Sequence, residues 1–591
     1  MISYLPPAFI FIVGAALIPL LKGRIRQAFL ILLPCVAFVN LLNMPEGTGY
    51  VVNFWEYELT FLRVDKLSMV FGYIFVIMAF AGAIFAAHEK DKMQLVAGFL
   101  YAGSSLGVVF AGDLLTLFIF WEIMAFSSAC LVFARNTEAA TKAGFRYLLV
   151  HLFGGLLLLV GTLMHVAETG SLQFDHIGLS GMASAFILLG FALNAAIPPL
   201  SAWLTDAYPE STVIGTVFLS AFTTKTAVYT LARGFAGTEI LMWAGIFMII
   251  YGIVFAILEN DMRRVLSYSI INQVGFMVVG IGIGTALAIN GAASHAFAHI
   301  LYKALLMMSA GSVLYLTGRT KCTQLGGLYK TMPVTLIFCL VGAASISSFP
   351  LTGGFTTKSM IASAAGYEHI TIIWLLLTMA SAGVFLHAGI KFPYFVFFAK
   401  DSGLRVDEKK LPVNMLVAMG FLSFMCILIG VYPSVLYNLL PYPVSYVPYT
   451  GDHIVNQLQL LMFSALAFFM LLKFLKRTET LTMDTDWIYR KGAKIVVSVL
   501  SIPVAYIHKL LNTFFMEKLP EFLIWFGKNP VGAVKIAACS VAYTCGGGKE
   551  AKKRLEREKA AYPGTMFEAS IGIAVSLTMI LFVVYLWFYF R

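Results

Sequence analysis

Apolar runs of roughly twenty residues, each closed by a charge or by Pro/Gly, recur along almost the whole chain. A helix that crosses a bilayer needs a run of that length. The runs lie at about 4–21, 27–42, 64–87, 94–111, 114–133, 142–165, 183–200, 211–233, 239–257, 263–283, 289–316, 334–365, 369–390, 411–431, 454–472 and 565–590. They predict an all-α polytopic membrane protein with about 14–16 transmembrane helices. The polar punctuation is one-sided. Loops after the odd-numbered runs carry Lys22, Arg24 and Arg26; Lys90 and Lys92; Arg135 and Lys142; Arg263 and Arg264; Arg319, Lys321 and Lys330; then Lys391, Lys400, Arg405, Lys409 and Lys410. The intervening loops carry almost none, apart from Arg63 and Arg233, the latter at a span edge. Lys/Arg bias in short loops marks the cytoplasmic side, so the N-terminus and Arg591 are expected outside. The first run has no basic leader and no clear cleavage motif, and is expected to be a retained span.

Composition agrees and narrows the classes. Of 591 residues, 60% are hydrophobic and only 12% charged, about half of the roughly 25% of a soluble domain. That excludes a soluble enzyme, a disordered chain and a disulfide scaffold. The seven cysteines form no CxxC pair and read as small hydrophobes, so no metal, haem or other cofactor is expected in the chain. The net charge of +11 is unevenly held: residues 473–591 carry 17 Lys/Arg against 9 Asp/Glu. This tail begins with a cytoplasmic linker, Lys473 to Trp487. Apolar stretches then follow, broken by Lys491, Lys494, Lys509, Lys518 and Lys528. That pattern suggests an amphipathic, interfacial segment over 488–530. A charged helix at Gly548–Ala561 and a final anchor at 565–591 complete it. A basic membrane-surface anchor and a partner-docking element are both open readings of the tail.

A charge near the bilayer centre costs at least about 2.5–3.5 kcal/mol, so the few inside the runs need a reason. Glu122 follows Phe120 and Trp121 in a wholly apolar stretch. It must face a cavity or a polar partner, and a plain helix–helix hydrogen bond is the blander alternative. Lys225 sits mid-run among Thr223, Thr224 and Thr226; a buried lysine can load and release a proton, or hold a permanent ion pair. His295, His299 and Lys303 are spaced i, i+4, i+8 and share one helix face. This stripe suggests a proton wire; a two-histidine metal site is the rival, and it lacks an acidic third ligand in the run. Lys358 follows Pro350, Gly353 and Gly354, which break the helix; Pro198 and Pro199 make a second break. Broken helices at membrane depth are tolerated where protein or a water-filled cavity lies alongside. One in each half of the chain points to internal inverted repeats with a site in each.

The ordered motifs Arg63-Val64-Asp65-Lys66-Leu67-Ser68, Phe120-Trp121-Glu122, Pro199-Leu200-Ser201-Ala202-Trp203-Leu204-Thr205-Asp206, Lys225-Thr226-Ala227-Val228-Tyr229, Asp261-Met262-Arg263-Arg264, His295 through Lys303 and Gly353-Gly354-Phe355-Thr356-Thr357-Lys358 carry a resemblance. Over roughly residues 60 to 440 the chain resembles the antiporter-like, proton-translocating subunits shared by respiratory complex I, Mrp-type cation/proton antiporters (their D-like chains) and membrane-bound hydrogenases. The resemblance implies two symmetry-related proton half-channels joined by a buried polar axis. Glu122 and Lys225 would serve the first, His295, His299 and Lys303 the central relay, and Lys358 the end of the second. One position departs: the family usually has a lysine before the first break, where this chain has Asn194. Asn194 can hydrogen-bond water but cannot carry a proton. Glu122 would then lean more on Lys225, or this half would have lost transport.

His151, His387 and Lys391 could line water paths, or be locally satisfied groups or interface snorkellers. Asp113 and Asp206 lie near span ends and are expected to orient loops or caps. The expected organisation is 1–63, N-terminal spans and an outside loop; 64–440, an antiporter-like core with half-channels at about 94–233 and 239–398; 441–477, an additional span; 478–564, a basic interfacial extension; and 565–591, the anchor. The functional expectation is a proton-translocating subunit, with Na⁺ as a further candidate ion, in the inner (cytoplasmic) membrane. Its partners would be other membrane subunits and the bilayer, with no nucleic acid. No covalent chemistry is visible in the chain, and any redox centres would lie in partners such as quinone-reductase or hydrogenase subunits. The rivals are a stand-alone secondary transporter and a non-conducting membrane scaffold.

Overall fold

The computed structural model describes residues 4–474, 477–478, 484–564 and 571–589. The start of the predicted anchor (565–570) and its last two residues (590–591) lie outside the described residues. The chain divides into two units, Met1–Asp486 and Trp487–Arg591.

In the first unit, α1 (Pro7–Leu17) and α2 (Gly23–Leu42) lead into an antiparallel hairpin of β1 (Gly47–Phe54) and β2 (Tyr57–Val64), with Gly47 opposite Val64. An outside loop is expected here from the sequence; the alternation of Tyr, Val, Thr and Phe makes it a pair of strands. Asp65 then caps α3 (Lys66–Phe85) by accepting from the Ser68 amide in a capping box. α4 (Lys92–Phe110), α5 (Leu114–Phe133) and the 32-residue α6 (Glu138–Thr169) follow. Asp113 caps α5 and also accepts from the Thr60 amide at 2.7 Å, tying the hairpin to the helix start.

The next stretch is discontinuous: α7 (Met182–Asn194), α8 (Ala202–Ala207), α9 (Val213–Leu219) and α10 (Thr223–Gly234). Three continuous helices come next, α11 (Glu239–Leu258), α12 (Met262–Ile283) and the 32-residue α13 (Ala286–Thr317). The second break separates α14 (Pro333–Ile346) from α15 (Gly353–Tyr367), so the apolar run at 334–365 is two helices rather than one span. α16 (Thr371–Val384) continues through π-turns to Phe398, followed by α17 (Val413–Val431), the short α18 (Ser434–Tyr437) and α19 (Gly451–Met470).

Among the described residues, twelve helices are long and apolar enough to cross a membrane. Shorter apolar helices, including α7 and α14, account for others of the sixteen runs. The layering positions the site. Most residues of α12 and α13 are buried, 94% and 78% over their apolar windows, against 17% for α19. The helices that carry the most polar side chains thus lie at the centre, where other helices rather than lipid surround them.

In the second unit, α20 (Asp486–Asn512) runs through a π-turn into α21 (Leu519–Lys528), followed by α22 (Pro530–Thr544), α23 (Gly548–Ala561) and α24 (Ile571–Tyr589). The stretch expected to lie at the interface contains Val497–Lys528, which meets the length and hydropathy of a span. α23 matches the charged helix expected from the sequence.

Candidate buried polar axis

Both breaks contain backbone at positive φ. The first contains Ala196 and the second Ser348 and Leu351, all non-glycine residues at positive φ (+60°, +58° and +70°). Such backbone persists only where its surroundings fix it. Each break frees carbonyls that a helix would have satisfied, and side chains take them up. The Trp203 indole donates to the Leu193 carbonyl at 3.0 Å. A further interruption in the same half, between α9 and α10, leaves the Ser220 carbonyl to accept from Lys225 Nζ at 2.6 Å, and Lys225 also donates to Thr224 Oγ1 at 3.1 Å. Lys358 Nζ reaches the Ile346 carbonyl, at the end of α14, at 3.4 Å and sits 4.9 Å from the centre of the Phe276 ring. In each half, therefore, an ammonium meets the negative end of a broken helix. Lys225 and Lys358 are buried, and neither forms a salt bridge among the described residues. A permanent ion pair is therefore not what holds Lys225 here.

Between them runs the α13 stripe. His295, His299 and Lys303 are all fully buried. His295 faces two neighbours: Nδ1 lies 3.1 Å from Thr357 Oγ1 of α15, and Nε2 lies 3.1 Å from Gln273 Oε1 of α12. The Tyr302 hydroxyl donates to the same Gln273 oxygen at 3.0 Å. Lys303 Nζ donates to Ser269 Oγ at 2.8 Å. His299 stands between them with no hydrogen-bond partner on either ring nitrogen among the described residues, its ring centre 6.4 Å from that of His295. An imidazole with two open nitrogens between two anchored groups suits a relay better than a strut. Thr357 directly precedes Lys358, so the stripe adjoins the second break. Lys358 also lines a cavity of about 350 Å³ with Ser348, Asp452, His453, Asn456 and Gln457.

The first half is arranged differently. Glu122 Oε1 has no hydrogen-bond partner among the described residues and rests on Gly155 of α6, where an added Cβ would lie only 1.7 Å from it. Asn194, the last residue of α7, is buried; its Oδ1 lies 2.8 Å from His151 Nδ1, and its Nδ2 is unpartnered among the described residues. The structure thus brings Glu122, His151 and Asn194 into one region. Asp206 forms a two-pronged ion pair with Arg146, at 2.7 and 2.9 Å, a bracing contact between α8 and α6. Lys391 is buried and caps α11, donating to the carbonyls of Ala256, Ile257 and Glu259 at 2.5–2.8 Å. It is neither exposed nor a snorkeller. His387 is held through Nδ1 by the Gly383 carbonyl at 2.8 Å, on a π-turn of the α16 continuation. No group of three His, Cys, Asp or Glu that could hold a metal stands together among the described residues.

Four further participants carry little or no signal in the sequence. Gln273 sits beside Asn272 in an otherwise apolar stretch of α12, a polar pair that a search for apolar length passes over. Thr357 and Tyr302 are ordinary residues whose role depends on which helix faces them. Asp484, in the linker, accepts from Thr205 Oγ1 at 3.1 Å and from the Tyr268 hydroxyl at 2.7 Å, and also meets the Tyr251 hydroxyl. A lone aspartate in a charged linker gives no hint of that docking.

Residues 111–385 match the family described as NADH:quinone oxidoreductase/Mrp antiporter, transmembrane. The chain is 29% identical over 379 residues to a Na(+)/H(+) antiporter subunit of Alkalihalophilus pseudofirmus, covering 60% of this chain and 76% of that one. It is 25% identical over 441 residues to hydrogenase-4 component B of Escherichia coli, covering 66% of each. The fold is that of a chain in the Mrp complex from Dietzia sp., with a TM-score of 0.75 at 20% identity, covering 98% of this chain and 74% of that one.

Proposed function

We propose that the chain, whose residues 111–385 match the NADH:quinone oxidoreductase/Mrp antiporter family and which is similar to a Na(+)/H(+) antiporter subunit and to hydrogenase-4 component B, translocates protons as one subunit of a multisubunit membrane complex. The observation that carries this is the buried axis itself. Lys225, His299, Lys303 and Lys358 lie in the interior with no carboxylate partner among the described residues, each beside hydroxyls, carbonyls or other titratable side chains. Groups so placed bind and release protons in response to neighbouring charge. Glu122 and Lys225 serve the first half, about 94–233. His295, His299 and Lys303 link it to the second, about 239–398, in which Lys358 is the terminal site. Na⁺ is the second candidate ion, since one relative is a Na(+)/H(+) antiporter subunit. The basic loops face the cytoplasm, the N-terminus lies outside, and the membrane is the inner (cytoplasmic) one. The basic tail over 478–564 docks on partner subunits or lipid headgroups, and 565–591 anchors it.

The test is Lys225→Ala and Lys358→Ala, made separately in the assembled complex, with proton flux read by a dye in vesicles. Flux falls in both while the partner subunits still co-purify. Undiminished flux in both favours the rival that Asn194 suggests, a non-conducting scaffold.

A further inference from the structure

We propose that His151 is an additional proton carrier of the first half, placed between Glu122 and the hydroxyls that lead to Lys225. This rests on the reading of the chain as a proton-translocating subunit. The residues Tyr147, His151 and Gly155 are spaced i, i+4, i+8 on α6, so they form one stripe with about 6 Å of rise between neighbours. Each position meets a polar group. Gly155 seats the Glu122 carboxyl of α5. His151 meets Asn194 of α7 at 2.8 Å. The Tyr147 hydroxyl donates to Ser128 Oγ at 2.8 Å and also lies beside Thr223. Thr223 adjoins Thr224, whose hydroxyl accepts from Lys225. The stripe therefore runs from an acid to a base, with one imidazole in its middle.

The imidazole is set up for traffic. Asn194 Oδ1 faces Nδ1, so Nδ1 donates and Nε2 is left with its lone pair. That Nε2 is buried and has no partner among the described residues, and the same is true of Asn194 Nδ2. His151 is only 1% exposed, and the large majority of buried side-chain polar atoms have a hydrogen-bond partner, so its open Nε2 calls for a role. A proton arriving at Nε2 makes an imidazolium that the rings of Tyr147 and Trp203, with centres 4.2 and 4.5 Å away, can stabilise through their faces. The charged groups on the packed elements are Glu122 of α5, the exposed Glu138–Lys142 pair and Glu168 near the two ends of α6, and Arg146 of α6 with Asp206 of α8. The last two are joined to each other as an ion pair. Glu122 is thus the carboxyl on this stripe not engaged by an arginine.

The experiment uses the intact complex in vesicles. His151→Gln keeps an amide contact to Asn194 but holds no proton, and lowers proton flux by about tenfold or more. Adding Asn194→Lys to that variant puts a titratable amine at the same place and restores part of the flux. A His151→Gln complex with wild-type flux overturns the inference. So does a double variant no faster than the single. A wild-type complex that moves no protons fails the underlying function instead. Should His151→Gln not assemble, Asn194→Asp leaves His151 in place and gives it a carboxylate that holds the imidazolium. Flux is then expected to fall and its pH profile to move to higher pH, and an unmoved profile overturns the proposal.

Discussion

The two halves of the core solve the same problem with different materials. In the second half the titratable groups are dense and come from few elements: His295, His299 and Lys303 on α13, then Lys358 on α15. Their partners, Gln273, Ser269 and Thr357, come from the two helices packed against the stripe. In the first half the groups are sparse and come from four elements: Glu122 on α5, His151 on α6, Asn194 on α7 and Lys225 on α10. The first break is preceded by Asn194, which carries no charge, whereas the second is followed by Lys358. The order of a dense stripe is fixed along one helix, although its partners come from others. A sparse one depends on how several helices pack, and should be the more easily disturbed.

The largest effect is expected where density is lost from the axis. Lys358→Ala removes the end of the second half and should lower flux through the assembled complex by about 100-fold. A drop smaller than that of His151→Gln would reverse the ranking of the halves. An intermediate effect is expected of Gly155→Ala. The added methyl falls 1.7 Å from Glu122 Oε1, so the carboxyl or α6 must shift, at about 1–3 kcal/mol. Flux should fall several-fold, while a change on α13 such as Ala296→Gly, beside no carboxyl, should matter less. Equal losses would remove the claim that the first half depends on helix packing.

The predictable part of this arrangement is written along single helices. The i, i+4, i+8 spacing of His295, His299 and Lys303 is a property of one segment, and burial of the stripe follows from the run around it. The prolines at 198, 199 and 350 announce the breaks for the same reason. Three things are not legible. The hairpin at Gly47–Val64 is hidden because a short paired ribbon lacks the length signal that identifies spans. The contact between His151 and Asn194 joins residues 43 positions apart and depends on α6 and α7 meeting at one depth. Lys391 reads as a loop-edge cation in sequence, yet it folds back onto three carbonyls at the end of α11.

Smaller effects test the frame around the site. Asn194→Ala leaves His151 Nδ1 without its acceptor and should lower the stability of the core by about 1–3 kcal/mol, read as a lower unfolding temperature in detergent; no change would mean that the pair holds nothing. The smallest effect lies at the hairpin. Burial pushes the Asp65 carboxyl up, but Arg233 at 2.6 Å and the Ser68 amide outweigh it and hold it below its ordinary value of 3.8. A lowered carboxyl contributes stability above that ordinary value and loses it as pH falls through the lowered one. The unfolding temperature should therefore drop as pH is taken below about 4, and the drop should be shallower in Asp65→Asn. Identical profiles would mean that the Asp65–Arg233 pair contributes nothing.

Lys303 closes the α13 stripe at the end away from Thr357 and the second break, where it is anchored to Ser269 and the Leu266 carbonyl of α12. Methionine there nearly keeps the length and removes the charge. Proton flux measured in vesicles with the assembled Lys303→Met complex should fall to the background of empty vesicles, with partner subunits still present in wild-type proportion. Flux at the wild-type rate in that complex would contradict the claim that protons travel along this axis.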